Sequence, residues 1–327
     1  MKKLFINLAF ILVFRLSAQE IYQRSFVKMG SDFELTVVAK DAQSGEQFLA
    51  EGIAEIERIE HLISSWDPAS ETSQVNRMAG EAPVKVSDEL FELVQRAKAI
   101  SRLTDGAFDI TYASVDPLWS FNGGSITPPE VSVISASVAK IGFQKVQLNP
   151  SNKSIFLPEK GMKIGFGAIG KGYAADKVKS LLQAKGISGG IVNASGDLSA
   201  WGVQPDGQPW QVGLVNPKNK YKVFAWFPIN DRAVVTSGDY ERYLLMDGKR
   251  YGHIINPKTG YPVQGVISCT VFAPKAELAD ALATALFVLG IENGLYFVNQ
   301  LPEVDAILID DEGKLHASKN IEVDETI

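Results

Sequence analysis

IVNASGDLSAWGVQPDGQPWQVGLVNPKNKYKVFAWFPINDRAVVTSGDYERYLLM, from Ile191 to Met246, decides the fold class. Short apolar runs recur in it at close intervals: Ile191-Val192, Leu198 to Val203, Trp210 to Val215, Val223 to Phe227, Ala233 to Thr236 and Tyr243 to Met246. Gly, Pro, Asn and Asp separate them, and these are the residues that turn a chain. Runs this short, with no helical period between them, predict strands joined by turns.

Outward from this stretch the pattern changes. Upstream, a glycine-rich loop, Gly161 to Gly172, opens a helix running to about Lys185. Before it, Val146 to Leu148 and Ser154 to Leu157 read as a hairpin across Asn149 to Lys153. A short helix near Val131 to Ile141 follows a Gly/Pro-rich loop, Phe121 to Pro129. Ser87-Asp88-Glu89 caps a helix with Leu90, Leu93, Val94 and Ala97 on one face. Leu49, Ile53, Ile56, Ile59 and Ile63 repeat at helical spacing from about Gln43 to Trp66, where Asp67-Pro68 stops the helix. Phe33, Leu35 and Val37 alternate within one strand from Ser25 to Ala39. Downstream come a strand, Val266 to Phe272, an apolar helix, Ala276 to Leu289, ended by Gly290, and a strand, Ala306 to Ile309. Helices and strands do not alternate regularly. The expected fold is therefore α+β, a mostly antiparallel sheet with packed helices.

The chain has 327 residues, 46% apolar and 21% charged, enough to bury a sizeable core. Its net charge of −6 argues against a general nucleic-acid binder. A local pocket can still oppose the global charge and hold a phosphate-bearing ligand. One cysteine, Cys269, excludes an intrachain disulfide and a multi-cysteine metal site. With three histidines, His61, His253 and His316, any metal should be a hard cation held by oxygen. At the N-terminus, Lys2-Lys3 precede an apolar run, Leu4 to Phe14, then Arg15 and Leu16-Ser17-Ala18. This reads as a secretory signal over residues 1–18, ahead of an uncleaved anchor or a buried first helix. Residues 19–327 then form one exported domain, and no other stretch approaches transmembrane length.

Four segments can carry chemistry. Gly165-Phe166-Gly167-Ala168-Ile169-Gly170-Lys171-Gly172, opening a helix, sets backbone N–H groups and an ammonium toward an anion. It serves equally as a glycine-rich strand-to-helix turn. Thr236 to Arg242 with Tyr251 to Pro262 is dense in hydroxyls and holds His253, suited to moving a proton near neutral pH, or simply a turn-rich hairpin. Asp280 and Thr284 share a helical face and suit Mg²⁺; without a ligand they read as a helix-dipole acid and a back-bonded Thr. Thr104 to Thr111 offers Asp109 to a ligand, or is a C-cap turn at Asp105-Gly106.

In order and spacing, these segments resemble the ApbE family of FAD:protein FMN transferases. The resemblance runs from Phe26 to Gly290. It also takes in Met29-Gly30-Ser31, Ser65-Trp66, Ser73 to Asn76 and Asn193-Ala194-Ser195-Gly196-Asp197. It implies a T-fold-like architecture and a reaction that cleaves FAD with Mg²⁺, or Mn²⁺ in its place. FMN passes to a Thr or Ser of an exported or membrane-bound redox protein, and AMP leaves. By this likeness Met29, Trp66, Ala107, Phe108 and Asp109 line the flavin or adenine pocket, and Lys171 faces the pyrophosphate. Asp280, Thr284 and the Ala168 carbonyl hold the metal. Ile254 lies beside the ligand, and His253 assists phosphoryl transfer. The family's usual Asp-Leu-Gly is Gly165-Phe166-Gly167 here, so a cofactor contact at Gly165 is missing or replaced. Ser195-Gly196-Asp197 stands for Gly-Gly-Asp, and Asn256 for an Asp. The alternatives are an FAD pyrophosphatase and a non-catalytic flavin-binding protein.

Overall fold

A computed structural model describes residues 19–115, 118–124, 126–216, 219–238, 243–247 and 249–322. The expected signal, residues 1–18, lies outside them, as do Asp239 to Arg242 of the hydroxyl-rich segment. The chain opens with a hairpin, β1 (Glu20–Lys28) and β2 (Ser31–Ala39), and a long helix, α1 (Ala42–Ile63). Next come α2 (Glu71–Arg77), β3 (Val84–Lys85), α3 (Asp88–Leu103), a 3-10 turn at Ile110–Ser114 and α4 (Val131–Val138). β4 (Gln147–Asn149) and β5 (Ser154–Phe156) form the expected hairpin. After α5 (Gly170–Ala184) the strands crowd: β6 (Gly190–Ala194), β7 (Asp197–Trp201), β8 (Trp210–Asn216), β9 (Asn219–Ile229), β10 (Ala233–Gly238), β11 (Tyr243–Met246), β12 (Lys249–Gly252) and β13 (Val266–Ala273). α6 (Ala276–Val298), β14 (Asp305–Asp310) and β15 (Leu315–Ala317) complete the described chain.

Among the described residues, the largest sheet runs β1-β2-β6-β7-β10-β13-β14-β15, with every neighbouring pair antiparallel. Alternation along β2 sets its two faces. Phe33, Leu35 and Val37 bury with Leu49 and Ile56 of α1, Val178 and Leu182 of α5, and Leu282 and Leu286 of α6. Val38 faces the other way, with Val234 and Phe272, under the β8–β9 hairpin through Trp210, Leu214 and Ile229. A second core lies beyond the helices. There Leu90, Leu93 and Val94 of α3 meet Phe108, Ile110, Ile155 and Ile164.

Three boundaries differ from the sequence reading. The strand expected from Ser25 is two strands, because Met29 (φ 52°) and Gly30 (φ 65°) turn the chain between Lys28 and Ser31. α1 stops at Ile63 rather than Trp66: the Ser64 hydroxyl accepts from the N–H groups of Trp66 and Asp67 and starts a loop. α6 does not end at Gly290. The chain kinks there (φ 77°) and the helix resumes to Val298, because Leu295, Phe297 and Val298 pack on the core. The continued helix is 23 residues long and apolar enough to cross a membrane, contrary to the expectation that no further stretch reaches that length. Its apolarity has another use: Leu282 and Ala283 serve one core while Ala281 and Ala285 serve the other.

Candidate active site

The glycine loop is stretched between two elements that fix it. Asn76 on α2 brackets Ile164, accepting from its N–H at 2.8 Å and donating to its carbonyl at 2.9 Å. Ser114 accepts from the Lys163 N–H at 3.0 Å, and the Gly165 N–H donates to the Ile110 carbonyl at 2.9 Å. The loop then turns into α5, whose N-terminus crosses α6. At the crossing the Gly172 N–H donates to Asp280 Oδ2 at 3.0 Å. A Cβ at Gly172 would stand 2.1 Å from the Ala276 carbonyl oxygen, so only glycine allows this approach. Asp176, one turn on, accepts from the N–H groups of Ala276 and Glu277, both at 3.0 Å, and caps α6.

Two hairpin tips close the same end of the sheet. Phe33 pairs with Ala194, so the Met29-Gly30 turn and the Ser195-Gly196 turn are neighbours. Ser195 has φ 56°, a left-handed conformation that costs a non-glycine residue roughly 1 kcal/mol. Directly after the turn, Asp197 is 1% exposed and its Oδ2 lies 2.6 Å from Lys171 Nζ. Asp280, 3% exposed, lies close enough to Asp197 for the two carboxyls to repel when ionised. Burial and the neighbouring Asp197 hold the Asp280 carboxyl well above the usual carboxylate range. Burial also raises Asp197, and Lys171 pulls it back. Ionising both carboxyls beside one ammonium would leave one negative charge in excess, which a bound cation would offset. Thr284, which carries a hydroxyl, and Ala168, which has a backbone carbonyl, line the same cavity. This all-oxygen donor set fits Mg²⁺.

The cavity is an open cleft of about 840 Å³, a figure that includes the solvent-open space at its mouth. The structure brings Ala107, Phe108, Asp109, Ala168, Lys171, His253, Ile254, Asp280 and Thr284 onto its wall. Met29, Trp66 and Gly165 are not on that wall. Met29 is half-buried, with its N–H on Glu60 Oε1 at 2.6 Å; Trp66 is 84% exposed on the loop after α1. Gly165 is buried behind the loop, where a Cβ would stand 3.0 Å from that of Ala113. Asp109 has its carboxylate engaged within the protein. Oδ1 accepts from the Thr111 N–H and hydroxyl, and Oδ2 from the Phe143 N–H. Asn256 is a turn residue whose Oδ1 accepts from the Lys258 N–H at 2.9 Å, a task Asn and Asp perform alike. His253 is exposed at the mouth, its ring edge-on to Phe121 at 6.4 Å.

Sequence reasoning assigned no role to Asp197, Asp176 or Tyr112. Asp197 sits in a quoted segment, but its partnership joins positions far apart in the chain. Only its place directly after a Ser-Gly turn, at one end of a strand, gave a signal.

A glycine loop opening a helix, a lysine, a histidine and the buried Asp280 on one cleft, with Asp197 behind the lysine, define a site suited to a phosphorylated ligand. The fold narrows that class, and the chain belongs to the ApbE family, whose profile matches residues 29–308. It is 34% identical over 298 residues to an FAD:protein FMN transferase of Klebsiella pneumoniae, covering 90% of each chain. A namesake from Treponema pallidum is 31% identical over 92% of this chain and 87% of its own. The crystal structure of the ApbE protein of Thermotoga maritima superposes with a TM-score of 0.85 at 30% identity, covering 92% of this chain and 98% of that one. The flavin transferase ApbE of Vibrio cholerae gives 0.81 at 28% identity, over 92% and 98%.

Proposed function

We propose that this chain is an Mg²⁺-dependent FAD:protein FMN transferase of the exported compartment, periplasmic or held at the membrane surface. It would act after loss of a signal near residues 1–18. The observation that carries this reading is the convergence of Lys171, Asp280, Thr284, Ala168 and His253 on one cavity, although they lie on three separate segments of the chain. Asp280, Thr284 and the Ala168 carbonyl would hold Mg²⁺. When bound, the ion offsets the charge of the FAD pyrophosphate and makes its phosphorus more electrophilic.

The chain's own groups do the rest. Lys171 and the N-terminus of α5 orient the pyrophosphate. Asp197 keeps the Lys171 ammonium at the cavity wall. An acceptor Ser or Thr hydroxyl enters from the mouth, and an imidazole nitrogen of His253 takes its proton as the oxygen attacks the FMN phosphorus. The pyrophosphate P–O bond breaks, AMP leaves with the bridging oxygen, and FMN stays on the acceptor as a phosphoester. Positioning and charge neutralisation are what phosphoryl transfer requires. The open mouth favours a second reading, in which water replaces the hydroxyl and the products are FMN and AMP.

Mature protein incubated with FAD, Mg²⁺ and a flavin-acceptor domain should leave the acceptor fluorescent after denaturation, with AMP released in equal amount. FMN freed in solution at a rate unaffected by acceptor would establish the pyrophosphatase instead. Intact FAD with unlabelled acceptor would rule out both.

A further inference from the structure

Tyr112 stands half-buried on the 3-10 turn Ile110–Ser114 and forms part of the cavity wall. Its hydroxyl occupies the place where a side chain on Gly167 would begin. A Cβ there would lie 2.5 Å from the Tyr112 oxygen, and one on Gly165 would lie 3.8 Å from it. Gly167 is exposed on the same wall, one residue before Ala168 and four before Lys171. The hydroxyl therefore lies over the glycine loop at Gly167, on the wall that Ala168 and Lys171 also line.

The turn that carries it is fixed from both sides. Asp109 binds the turn through Thr111 and Phe143, and Thr111 Oγ1 accepts from the Gly142 N–H at 2.8 Å. The Gly165 N–H and Ser114 tie the turn to the loop itself. A phenolic O–H held this way is a donor suited to an anionic oxygen. We propose that Tyr112 is a ligand-binding residue whose hydroxyl donates a hydrogen bond to a pyrophosphate oxygen of the flavin nucleotide, beside Lys171. The proposal rests on the flavin-transferase reading.

Tyr112→Phe removes the hydroxyl and keeps the ring. FAD affinity is measured by flavin fluorescence quenching, and ADP affinity by calorimetry, both with Mg²⁺ on the full mature chain. Both ligands should weaken together by about ten- to a hundredfold, the loss of one hydrogen bond to a charged group. KM for FAD should rise by the same factor, with kcat within about twofold, because a hydroxyl that binds both ground and transition state acts on KM alone. Unchanged affinity for both ligands would overturn the proposal. So would weaker FAD binding with ADP unaffected, which would place the hydroxyl on the flavin. A wild-type chain that binds ADP but not FAD would instead sink the flavin reading, and the ADP arm would still decide Tyr112.

Discussion

Asp197 and Asp280 are a costly pair to bury, the kind of perturbed pair that marks a candidate functional site. Burial first, then mutual repulsion, keeps Asp280 from ionising easily, and Lys171 compensates only one of the two carboxylates. Asp280→Asn removes the conflict while leaving an oxygen to accept from Gly172. We expect transfer activity to fall at least about a hundredfold, the scale set by removing one group that stabilises transition-state charge. The melting temperature without metal should hold or rise, because an uncompensated buried carboxyl is gone. An active variant, or a melting temperature lowered together with activity, would return Asp280 to a structural role. His253 is exposed, so its replacement leaves no cavity in the core. His253→Ala should cut kcat by about 10²–10⁴, the usual worth of a general base, with FAD affinity nearly unchanged. Equal losses in kcat and affinity would make His253 a binding residue only.

α5 is the element that carries the site, and two contacts hold it. The first is its crossing with α6 at Gly172. Gly172→Ala puts a methyl against the Ala276 carbonyl. It should cost about 1–3 kcal/mol by urea denaturation, as overpacking does, and weaken Mg²⁺ binding because the Gly172–Asp280 bond opens. The second is Glu89 on α3, which takes Arg58 of α1 at 2.6 Å and Tyr173 and Lys177 of α5 at 2.6 and 2.9 Å. Burial alone would raise Glu89; the bonds from Arg58, Tyr173 and Lys177 outweigh it and bring the carboxyl from 4.5 to about 2. A lowered folded value gives stability that is present above the unfolded value and lost as pH falls through the folded one. Glu89→Gln should therefore cost about 1–2 kcal/mol at pH 7, after allowance for screening by solvent. The gap to wild type should close between about pH 5 and pH 2; a gap independent of pH would remove the charge from the explanation. These elements differ in how far the sequence reveals them. β2, α1 and α3 are legible because one face of each is buried, so Leu35 and Val37, or Leu90 and Leu93, keep the period. β1 is not, because it is an edge strand whose residues from Glu20 to Lys28 are mostly exposed and show no period. Gly290 reads as a stop, and only packing against the core lets α6 resume beyond it. Lys171, Asp280 and His253 are legible by chemistry and order. The Lys171–Asp197–Asp280 contact is not, since it depends on the sheet bringing the end of β6–β7 to the crossing of α5 and α6.

Across the whole molecule, the site ties together parts that the chain keeps apart. Ala107 and Phe108 belong to the core behind the helices, Ile254 to the core under the sheet, and Asp280 to the helix shared by both. A ligand seated there makes contacts that exist only when all three are in place, so binding and folding are linked. With FAD and Mg²⁺ each near a hundredfold over their dissociation constants, a single linked site adds about 2.7 kcal/mol. For a chain of this size that is a rise in melting temperature of about 4 °C. The two ligands should reinforce each other, because Mg²⁺ offsets the charge that FAD brings toward Asp197 and Asp280. FAD alone in the presence of a chelator should give a smaller rise than FAD with Mg²⁺, and Asp280→Asn should abolish the difference between the two conditions. Thermal scans of wild type and variant, with and without EDTA, read this directly. A wild-type shift from FAD that is indifferent to EDTA would separate flavin binding from the acid pair, and the metal assignment of Asp280, Thr284 and Ala168 would fall with it.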